Sequence, residues 1–288
     1  MGGVMQNKVV MVTGATNGIG LETARGLASM GATVIGVGRN PQKCADVAKS
    51  IAGTTSNPNV EFLVADLSAQ SQVRKLAETF KHKYDRLDVL VNNAGGYFAR
   101  REESSDGIEM TWALNHLNYF LLTNLLLDVL KHSAPARIVN VSSGAHTRVK
   151  QINFDDVEFK KGFSGWTVYG HSKLANVLFT YELSRHLEGT KVTANALHPG
   201  FVATGFGHNN GGLMRTGINL VQKIVAKRPE QGAETSIYLS SSPKVEGVTG
   251  KYFSDKKEIK SSAASYDVNA ARRLWELSEQ MVHAKVTA

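Results

Sequence analysis

The chain has 288 residues, of which 42% are hydrophobic and 20% are charged, a composition that excludes intrinsic disorder. Its 33 Lys and Arg residues outnumber its 25 Asp and Glu residues, and the resulting charge of +8 favours an anionic partner. The cations are interleaved with acids instead of forming a basic stripe, so nucleic acid is the weaker candidate partner. Cys44 is the only cysteine, which excludes an intrachain disulfide and a multi-cysteine zinc site.

The sequence carries no pattern typical of a membrane span or a secretory signal. The longest apolar stretch, residues 117–130, is interrupted by Asn118, Asn124 and Asp128. The segment before the first apolar run is too short for a signal peptide. We therefore expect a soluble, cytoplasmic protein without an integral membrane segment, and leave peripheral attachment to a membrane open.

Short runs rich in Val, Ile and Leu alternate with longer helical patterns along the chain. The predicted strands cover residues 9–13, 33–37, 60–65, 87–91, 137–142 and 191–197. The predicted helices lie near residues 18–30, 69–81, 106–131, 167–188 and 229–240. The strands lack strict alternation, as expected for strands that are covered on both faces. This order predicts one doubly wound α/β domain over residues 1–288, with a parallel sheet and helices on both faces.

A glycine-rich turn follows the first predicted strand and opens the first predicted helix. Its sequence is Thr13-Gly14-Ala15-Thr16-Asn17-Gly18-Ile19-Gly20. Glycines let the backbone approach a pyrophosphate, and a helix N-terminus supplies free N–H groups. The spacing is G-x-x-x-G-x-G, so the glycines alone are also compatible with an ordinary tight turn. The flanking strand and helix favour a dinucleotide site at Gly14, Asn17, Gly18, Ile19 and Gly20.

The residue after the second predicted strand indicates which nicotinamide cofactor is bound. NAD binders usually place an acid there to hold the ribose 2′-OH, whereas an arginine accommodates the 2′-phosphate of NADP. The strand is followed by Gly38, Arg39 and Asn40, and no carboxylate is present. The guanidinium of Arg39 can form paired hydrogen bonds to a phosphate. The sequence therefore predicts NADP(H).

Polar and small residues end the third and fourth predicted strands. Asp66 and Leu67 close the third strand, where a carboxylate could bond the adenine amine. Asn93, Ala94 and Gly95 follow the fourth, where small residues allow close backbone approach and an Asn can tie neighbouring strands together. Each signal is weak alone because these residues are common in turns. We include all five among the predicted cofactor-binding residues.

Catalysis is predicted at Ser143, Tyr169 and Lys173. Tyr169 and Lys173 are four residues apart on a predicted helix and so share a face. An ammonium beside a phenol stabilises phenolate and, with the help of the cofactor's positive ring, is expected to lower the pKa of Tyr169 from its usual value near 10. Ser143 lies at the end of the fifth predicted strand and can hydrogen-bond a substrate oxygen.

Together these motifs resemble the short-chain dehydrogenase/reductase family. The resemblance rests on Thr13-Gly14-x-x-x-Gly18-x-Gly20, Asn92-Asn93-Ala94-Gly95, Asn115, Ser143, Tyr169-Gly170-His171-Ser172-Lys173 and Pro199-Gly200. It covers nearly the whole chain. Residues 169–180, 197–204 and 250–278 are similar to the retinol dehydrogenase-like branch, with its relatives near the WW-domain oxidoreductases. The resemblance implies a Rossmann-type fold.

The same resemblance implies a role for each catalytic residue. Tyr169 would be the general acid/base, and Lys173 would lower its pKa while holding the nicotinamide ribose. Ser143 would orient the substrate oxygen, in preference to Ser142, since the family's serine is usually the second of such a pair. Asn115 would kink its helix and help hold a water near Lys173.

The resemblance also extends to the cofactor and substrate contacts. Pro199, Gly200 and Val202 would contact the cofactor, and residues 201–228 would form a loop over the substrate. Apolar side chains indicate an apolar alcohol or carbonyl substrate: Phe201, Phe206, Leu213 and Met214 in this loop, and Phe154, Phe159, Phe163 and Trp166 before Tyr169. Related enzymes often form homo-oligomers through the helices that follow the fourth and fifth strands.

The leading prediction is an NADP(H)-dependent oxidoreductase that interconverts an apolar alcohol and its aldehyde or ketone by hydride transfer. The alternative is a non-catalytic NADP(H)-binding sensor or scaffold. His116, His171 and His198 are expected to be structural. The sequence contains no H-E-x-x-H or G-x-S-x-G pattern, so neither a metal site nor a serine hydrolase is predicted.

Overall fold

The computed structural model describes residues 3–200 and 228–282, and the strands of this part form one sheet in the order β3-β2-β1-β4-β5-β6-β7-β8. Strands β1 to β7 pair in parallel, and β8 is antiparallel to β7. The strand bounds are β1 Val9–Thr13, β2 Thr33–Gly38, β3 Val60–Val64, β4 Val89–Asn92, β5 Ala136–Val141, β6 Val192–Leu197, β7 Tyr252–Ser254 and β8 Lys257–Glu258. The predicted doubly wound α/β fold is confirmed.

Nine α-helical segments are described. They are α1 Gly18–Ser29, α2 Pro41–Thr55, α3 Gln70–Lys83, α4 Met110–Trp112, α5 Asn118–Leu125, α6 Leu127–His132, α7 Gly165–His186, α8 Pro229–Ser241 and α9 Val268–Met281. A π-helical turn, Ala113–Leu117, joins α4 to α5, and 3₁₀ turns cover Gly144–Arg148, Pro243–Val245 and Ala263–Tyr266. The single helix predicted over residues 106–131 is therefore wrong, because a π turn and a break near Leu126 divide it into three segments.

The sheet is covered by an apolar layer on each face, as predicted. One cluster joins the sheet to Phe80 of α3, Phe120 of α5, Phe179 of α7 and Trp275 of α9. The other includes residues of α1, α2 and α8. Strand β3 departs from the predicted burial: its residues are only half-buried and Val64 is 50% exposed, because β3 forms an edge of the sheet.

Helix α9 lies across α5 and α7, the helices that follow β4 and β5. The Trp275 ring packs against Phe120 at 4.9 Å, Phe179 at 5.9 Å and His186 at 4.2 Å between centroids. Ser278 Oγ lies 2.9 Å from His116 Nε2. These contacts pack α9 onto α5, onto α7 and onto the π turn before α5.

Strand order reverses between β1 and β4, which are neighbours although three helices and two strands separate them in the chain. In doubly wound sheets the crevice at such a reversal, beyond the carboxyl ends of the strands, is where ligands bind. The predicted site residues follow β1, β2, β3, β4, β5 and β6 at this same edge. None of the described helices is both long and apolar enough to cross a bilayer.

Candidate active site

The glycine turn lies between β1 and α1 and has the backbone that the sequence pattern predicts. Gly14 and Gly18 have φ of +65° and +53°, the left-handed region that favours glycine. A Cβ on Gly14 would stand 2.9 Å from Ala94 Cα, and one on Gly20 would overlap the Gly14 carbonyl and the Asn93 amide. The turn is therefore closely packed against the residues that follow β4.

The N-terminus of α1 offers donors for a pyrophosphate. Asn17 is the N-cap, and its side chain makes no capping hydrogen bond. The first amides of α1, at Gly18, Ile19 and Gly20, have no acceptor within the helix and carry the positive end of its dipole. Together with the space that the absent side chains leave at Gly14 and Gly20, these donors fit the diphosphate of a nicotinamide dinucleotide.

Arg39 is exposed immediately after β2 and close to the glycine turn. A Cβ on the preceding Gly38 would overlap the Thr16 methyl group, so β2 ends against this turn. The next residue, Asn40, is the N-cap of α2, and its side chain accepts a hydrogen bond from Lys43 N at 2.9 Å. Arg39 thus follows the strand end that meets the glycine turn, and its contact with a 2′-phosphate stays a prediction.

Asn93 and Ala94 are fastened to the end of β1. The Thr13 hydroxyl accepts hydrogen bonds from Asn93 N at 2.8 Å and Ala94 N at 3.0 Å. Asn93 Nδ2 donates to Thr13 O at 2.8 Å, so the asparagine side chain ties β4 to β1 as expected. Thr13 itself was absent from the predicted site. Its position as the last residue of β1 is the signal that could have identified it.

The remaining predicted cofactor residues follow β3 and β6, at the carboxyl edge of the sheet. Asp66 Oδ1 accepts hydrogen bonds from Ser68 N at 3.0 Å and Ser68 Oγ at 2.7 Å, so this carboxylate also supports its own turn. Leu67 is buried beside it. Pro199 and Gly200 follow β6, and Gly200 has φ of +80°. Val202 and the predicted loop with Phe201, Phe206, Leu213 and Met214 lie outside the described residues.

Ser143 and Tyr169 face each other at the end of β5. Burial raises the pKa of Tyr169 to about 12, although a hydrogen bond from the Ser143 hydroxyl, which stabilises the phenolate, acts to lower it. The lowering that is expected with the cofactor's positive ring stays a prediction. Ser142 Oγ instead donates to Lys173 O at 2.8 Å. Of the two neighbouring serines, Ser143 is the one whose hydroxyl meets the phenol.

Lys173 lies below Tyr169 on α7 and is buried. Its Nζ donates to Val141 O at 3.0 Å and lies 5.7 Å from the centroid of the Tyr169 ring. Burial lowers the pKa of Lys173 to about 7. Desolvation thus weakens the ammonium that was expected to act on Tyr169. A Cβ on Gly95 would stand 3.5 Å from this Nζ, so Gly95 leaves the approach to Lys173 open.

Asn115 lies in the π turn, and its helix is interrupted there as the resemblance implies. Its Oδ1 accepts from Gly96 N at 2.8 Å, and its Nδ2 donates to Gly96 O at 3.0 Å and Ser172 Oγ at 3.0 Å. The side chain therefore joins the segment after β4 to α7. π-Helical turns often occur at functional sites because they displace one residue from the regular ladder.

An aromatic group lies beside the phenol of Tyr169. The Tyr97 ring is 6.3 Å from the Tyr169 ring, and the Trp166 ring is 6.4 Å from it, both in edge-to-face geometry. Phe159 instead packs on His171 at 5.0 Å, and Phe154 lies under the Arg273 guanidinium at 4.4 Å. Trp166 is thus next to the phenol of Tyr169, whereas Phe154 and Phe159 pack elsewhere. Tyr97 was not predicted, and no motif marks it.

The three predicted structural histidines are held by packing and hydrogen bonds. His116 is fully buried, which lowers its pKa to about 3, and burial lowers the pKa of His171 to about 4. His198 Nδ1 accepts from Gly200 N at 3.1 Å. Within residues 3–200 and 228–282, no three His, Cys, Asp or Glu side chains are grouped as metal ligands.

A family model for short chain dehydrogenases matches residues 8–211. The chain belongs to this family. It is 43% identical to human retinol dehydrogenase 14, over 97% of this chain and 88% of that protein. It is 42% identical to human polyprenol dehydrogenase, over 96% of this chain and 85% of that protein. The resemblance to the retinol dehydrogenase-like branch is therefore confirmed.

Solved structures share the fold of this short chain dehydrogenase. An uncharacterized protein from Mycobacterium paratuberculosis has a TM-score of 0.80 and 32% identity, and the match covers 99% of this chain and 96% of that one. The Pseudomonas aeruginosa RhlG/NADP active-site complex has a TM-score of 0.69 and 28% identity, over 86% and 94% of the two chains. The family membership makes this chain an oxidoreductase that acts on alcohols with a nicotinamide cofactor.

Proposed function

We propose that this short chain dehydrogenase is NADP(H)-dependent and interconverts an apolar alcohol and its aldehyde or ketone, with Tyr169 as general acid/base. The proposal rests chiefly on the meeting of Ser143, Tyr169 and Lys173 beside the glycine turn. When bound, the nicotinamide ring supplies or accepts the hydride. The roles of the chain's own residues follow from their protonation states and contacts.

Tyr169 holds the proton that a substrate carbonyl must receive. A phenol with a pKa of about 12 is protonated at neutral pH, so it can donate to the oxygen as negative charge develops there. The Ser143 hydroxyl, which contacts this phenol, can hydrogen-bond the same oxygen and orient it. In the reverse direction, Tyr169 must receive the alcohol proton, and Ser143 stabilises the phenolate form.

The amine of Lys173, which lies near the phenol of Tyr169, can gain or lose a proton near neutral pH. Its pKa of about 7 lies close to physiological pH, so both protonation states are accessible. The pKa values of Lys173 and Tyr169 are displaced in opposite directions by burial, the pattern expected when two titratable groups have different roles. Asn115 anchors the Gly96 backbone and Ser172, the residue that precedes Lys173 on α7.

Two features support NADP(H) over NAD(H). Arg39 is the first residue after β2, and the end of β2 meets the glycine turn. No acid occupies the position at which NAD binders usually hold the ribose 2′-OH. A guanidinium is the side chain best suited to a phosphate because it offers several donors in a planar fork.

An apolar substrate is supported by the surroundings of Tyr169 and by the relatives. The rings of Tyr97 and Trp166 are 4.6 Å apart and flank the phenol. Trp166 is 52% exposed, so it offers apolar surface to an incoming molecule. The names of the two human relatives describe dehydrogenases of retinol and polyprenol, which are apolar alcohols.

The deciding experiment follows NADPH and NADH oxidation by the purified protein across aldehydes and ketones of graded size. The corresponding alcohols are assayed in the other direction. We expect NADPH-dependent turnover that rises with the apolar size of the substrate. Tyr169→Phe should lower kcat by about 100-fold to 10,000-fold, since it removes the transferred proton but little of the ring packing.

Tyr238→Phe, on α8, is the matched control and should retain full activity. The affinity of Tyr169→Phe for NADPH, measured by fluorescence titration, should stay close to that of the unchanged protein. Full activity of Tyr169→Phe would contradict the proposed acid. NADPH binding without turnover on every substrate would favour the non-catalytic sensor.

A further inference from the structure

His146 lies three residues after Ser143 and has a ring whose protonation is fixed by its neighbours. Its Nε2 is 3.1 Å from the backbone N–H of Ser262, which can only donate, so Nε2 must be the unprotonated acceptor. Its Nδ1 is 2.8 Å from the carbonyl oxygen of Ser143, which can only accept, so Nδ1 must carry the proton. The two contacts therefore require one neutral tautomer.

The ring holds the backbone of Ser143 directly. The Ser143 carbonyl accepts from the His146 ring and also from the His146 backbone N–H at 3.1 Å. Ser143 Oγ in turn accepts from Ala145 N at 3.2 Å, which begins the 3₁₀ turn Gly144–Arg148. These bonds fix the peptide plane after Ser143 and hence the direction in which its hydroxyl points.

The same turn is packed closely onto α7. A Cβ on Gly170, next to Tyr169, would stand 3.2 Å from the Ala145 carbonyl oxygen and 2.9 Å from a Val149 methyl carbon. The distance between Ser143 and Tyr169 therefore depends on how this turn sits against the helix. A shift of this turn would therefore change the distance between the Ser143 hydroxyl and the Tyr169 phenol.

His146 also connects this turn to the end of the chain. Its ring packs against Tyr252 of β7 at 4.9 Å, and the Tyr252 hydroxyl lies 3.3 Å from Nδ1. The segment that holds Nε2 is itself bound to α7, because Ser261 Oγ lies 2.7 Å from the Tyr181 hydroxyl. The ring is thus enclosed by β7, by the Ser262 segment and by the turn that carries Ser143. The His146 side chain is buried, with 1% of its surface exposed.

We propose that His146 is a positioning residue for the reaction: its neutral ring donates from Nδ1 to the Ser143 carbonyl and keeps the Ser143 hydroxyl opposite Tyr169. This inference rests on the proposed function, since it acts through Ser143. It predicts that the hydrogen bond to Ser143, more than the ring's volume, determines the rate.

Two substitutions separate the hydrogen bonds of the ring. His146→Asn places an amide nitrogen near the position of Nδ1 and keeps a donor for Ser143. His146→Gln reaches the position of Nε2 and keeps only the acceptor for Ser262. We expect kcat to fall at least about tenfold in His146→Gln and to remain within about threefold in His146→Asn, with the Kd for NADPH unchanged in both.

Coupling to Ser143 distinguishes positioning from a general loss of stability. Ser143→Ala alone should lower kcat, and adding His146→Gln to it should cause no further loss of kcat per NADPH-binding site. His82→Gln, on the exposed end of α3, is the control. Ser262→Pro tests the hydrogen bond on the other ring nitrogen, because it removes the backbone N–H that donates to His146 Nε2. The φ of Ser262 is −64°, a value that proline adopts. It should lower kcat about threefold.

The outcomes are distinct. Equal kcat in the unchanged protein, His146→Gln and Ser262→Pro, with a loss in Ser143→Ala, would overturn the role of His146 and leave the proposed function intact. Independent, multiplicative losses from His146→Gln and Ser143→Ala would also overturn it. Should His146→Gln fail to fold, an unchanged kcat in Ser262→Pro decides against the inference. Full activity in Ser143→Ala would reject both the inference and the catalytic assignment.

Discussion

Burial sets the protonation of two neighbouring titratable side chains on α7, those of Tyr169 and Lys173. Without water to solvate charge, the phenol of Tyr169 keeps its proton and the amine of Lys173 loses it more easily. The sequence showed that the two residues share a helical face but not that both are desolvated. Lys173 therefore carries a cost in stability that can be measured.

Substituting Lys173→Met should stabilise the protein without cofactor in a pH-dependent way. The pKa of Lys173 falls from 10.5 to about 7 on folding, so the unfolded chain binds a proton more tightly than the folded one. The cost is absent above about pH 10.5, grows as the pH falls and is complete below about pH 7. Chemical denaturation should show a gain in unfolding free energy on the order of 4 kcal/mol at pH 7.

That gain should shrink as the pH approaches 10. Lys75→Met, an exposed lysine on α3, should change the free energy of unfolding by no more than about 0.5 kcal/mol at either pH. A gain for Lys173→Met that is independent of pH would show that the pKa of Lys173 is not lowered in the folded state.

Arg39 determines the expected choice between the two nicotinamide cofactors. Arg39→Asp should weaken NADPH binding by about 2–3 kcal/mol and leave NADH binding nearly unchanged, because only the former loses a charged hydrogen bond. Isothermal titration of both cofactors measures this. Lys49→Asp makes the same charge change farther along α2 and should affect both cofactors equally. An unaltered preference in Arg39→Asp would remove the 2′-phosphate role.

At the scale of elements, the turn between β1 and α1 is packed so closely that Gly20 has no room for a side chain. Gly20→Ala would put a methyl group into the Gly14 carbonyl and the Asn93 amide, so the turn must open. We expect the affinity for NADPH to fall at least about tenfold, since the amides of α1 would be displaced. Gly53→Ala, on α2 with open space around it, should bind NADPH normally and gain about 0.5–1 kcal/mol in stability. Equal affinities would show that the turn tolerates a side chain.

The predicted elements illustrate which features local sequence can reveal. The apolar runs located six strands of the parallel sheet because strands that are covered on both faces are rich in Val, Ile and Leu, and even the half-buried edge strand β3 keeps this composition. Helix α2 was missed because only Cys44 and Ile51 on it are buried, although Asn40 and Pro41 carry a readable cap signal. Strand β7 is three residues long, and no local pattern predicts so short a strand.

The sequence predicts the candidate site residues that belong to motifs. It does not predict contacts between segments that are far apart in the sequence. Ser143, Tyr169 and Lys173 were found because their residue types and spacing carry chemistry. The ring of His146 contacts Tyr252 and Ser262, which are more than a hundred residues away in the sequence. These contacts exist only in the folded chain. Desolvation of the catalytic groups has the same origin and was missed for the same reason.

At the scale of the whole molecule, α9 connects the C-terminal part of the chain to the catalytic half. Its Trp275 is 6% exposed and fills the space between the helices that carry Asn118–Leu125 and the Tyr169–Lys173 pair. The stability of the active-site helices should depend on this contact within one chain.

Trp275→Ala should lower the free energy of unfolding by about 3–5 kcal/mol, because it leaves a cavity among Phe120, Phe179 and His186. Trp166→Ala removes the same side chain from an exposed position and should cost less than about 1 kcal/mol. The kinetic effects should be reversed, since Trp166 flanks Tyr169: its loss should raise KM for large apolar substrates, while folded Trp275→Ala keeps its KM. Denaturant titration and steady-state kinetics on both variants measure the two effects, and equal losses of stability would show that α9 does not support the catalytic half of the molecule.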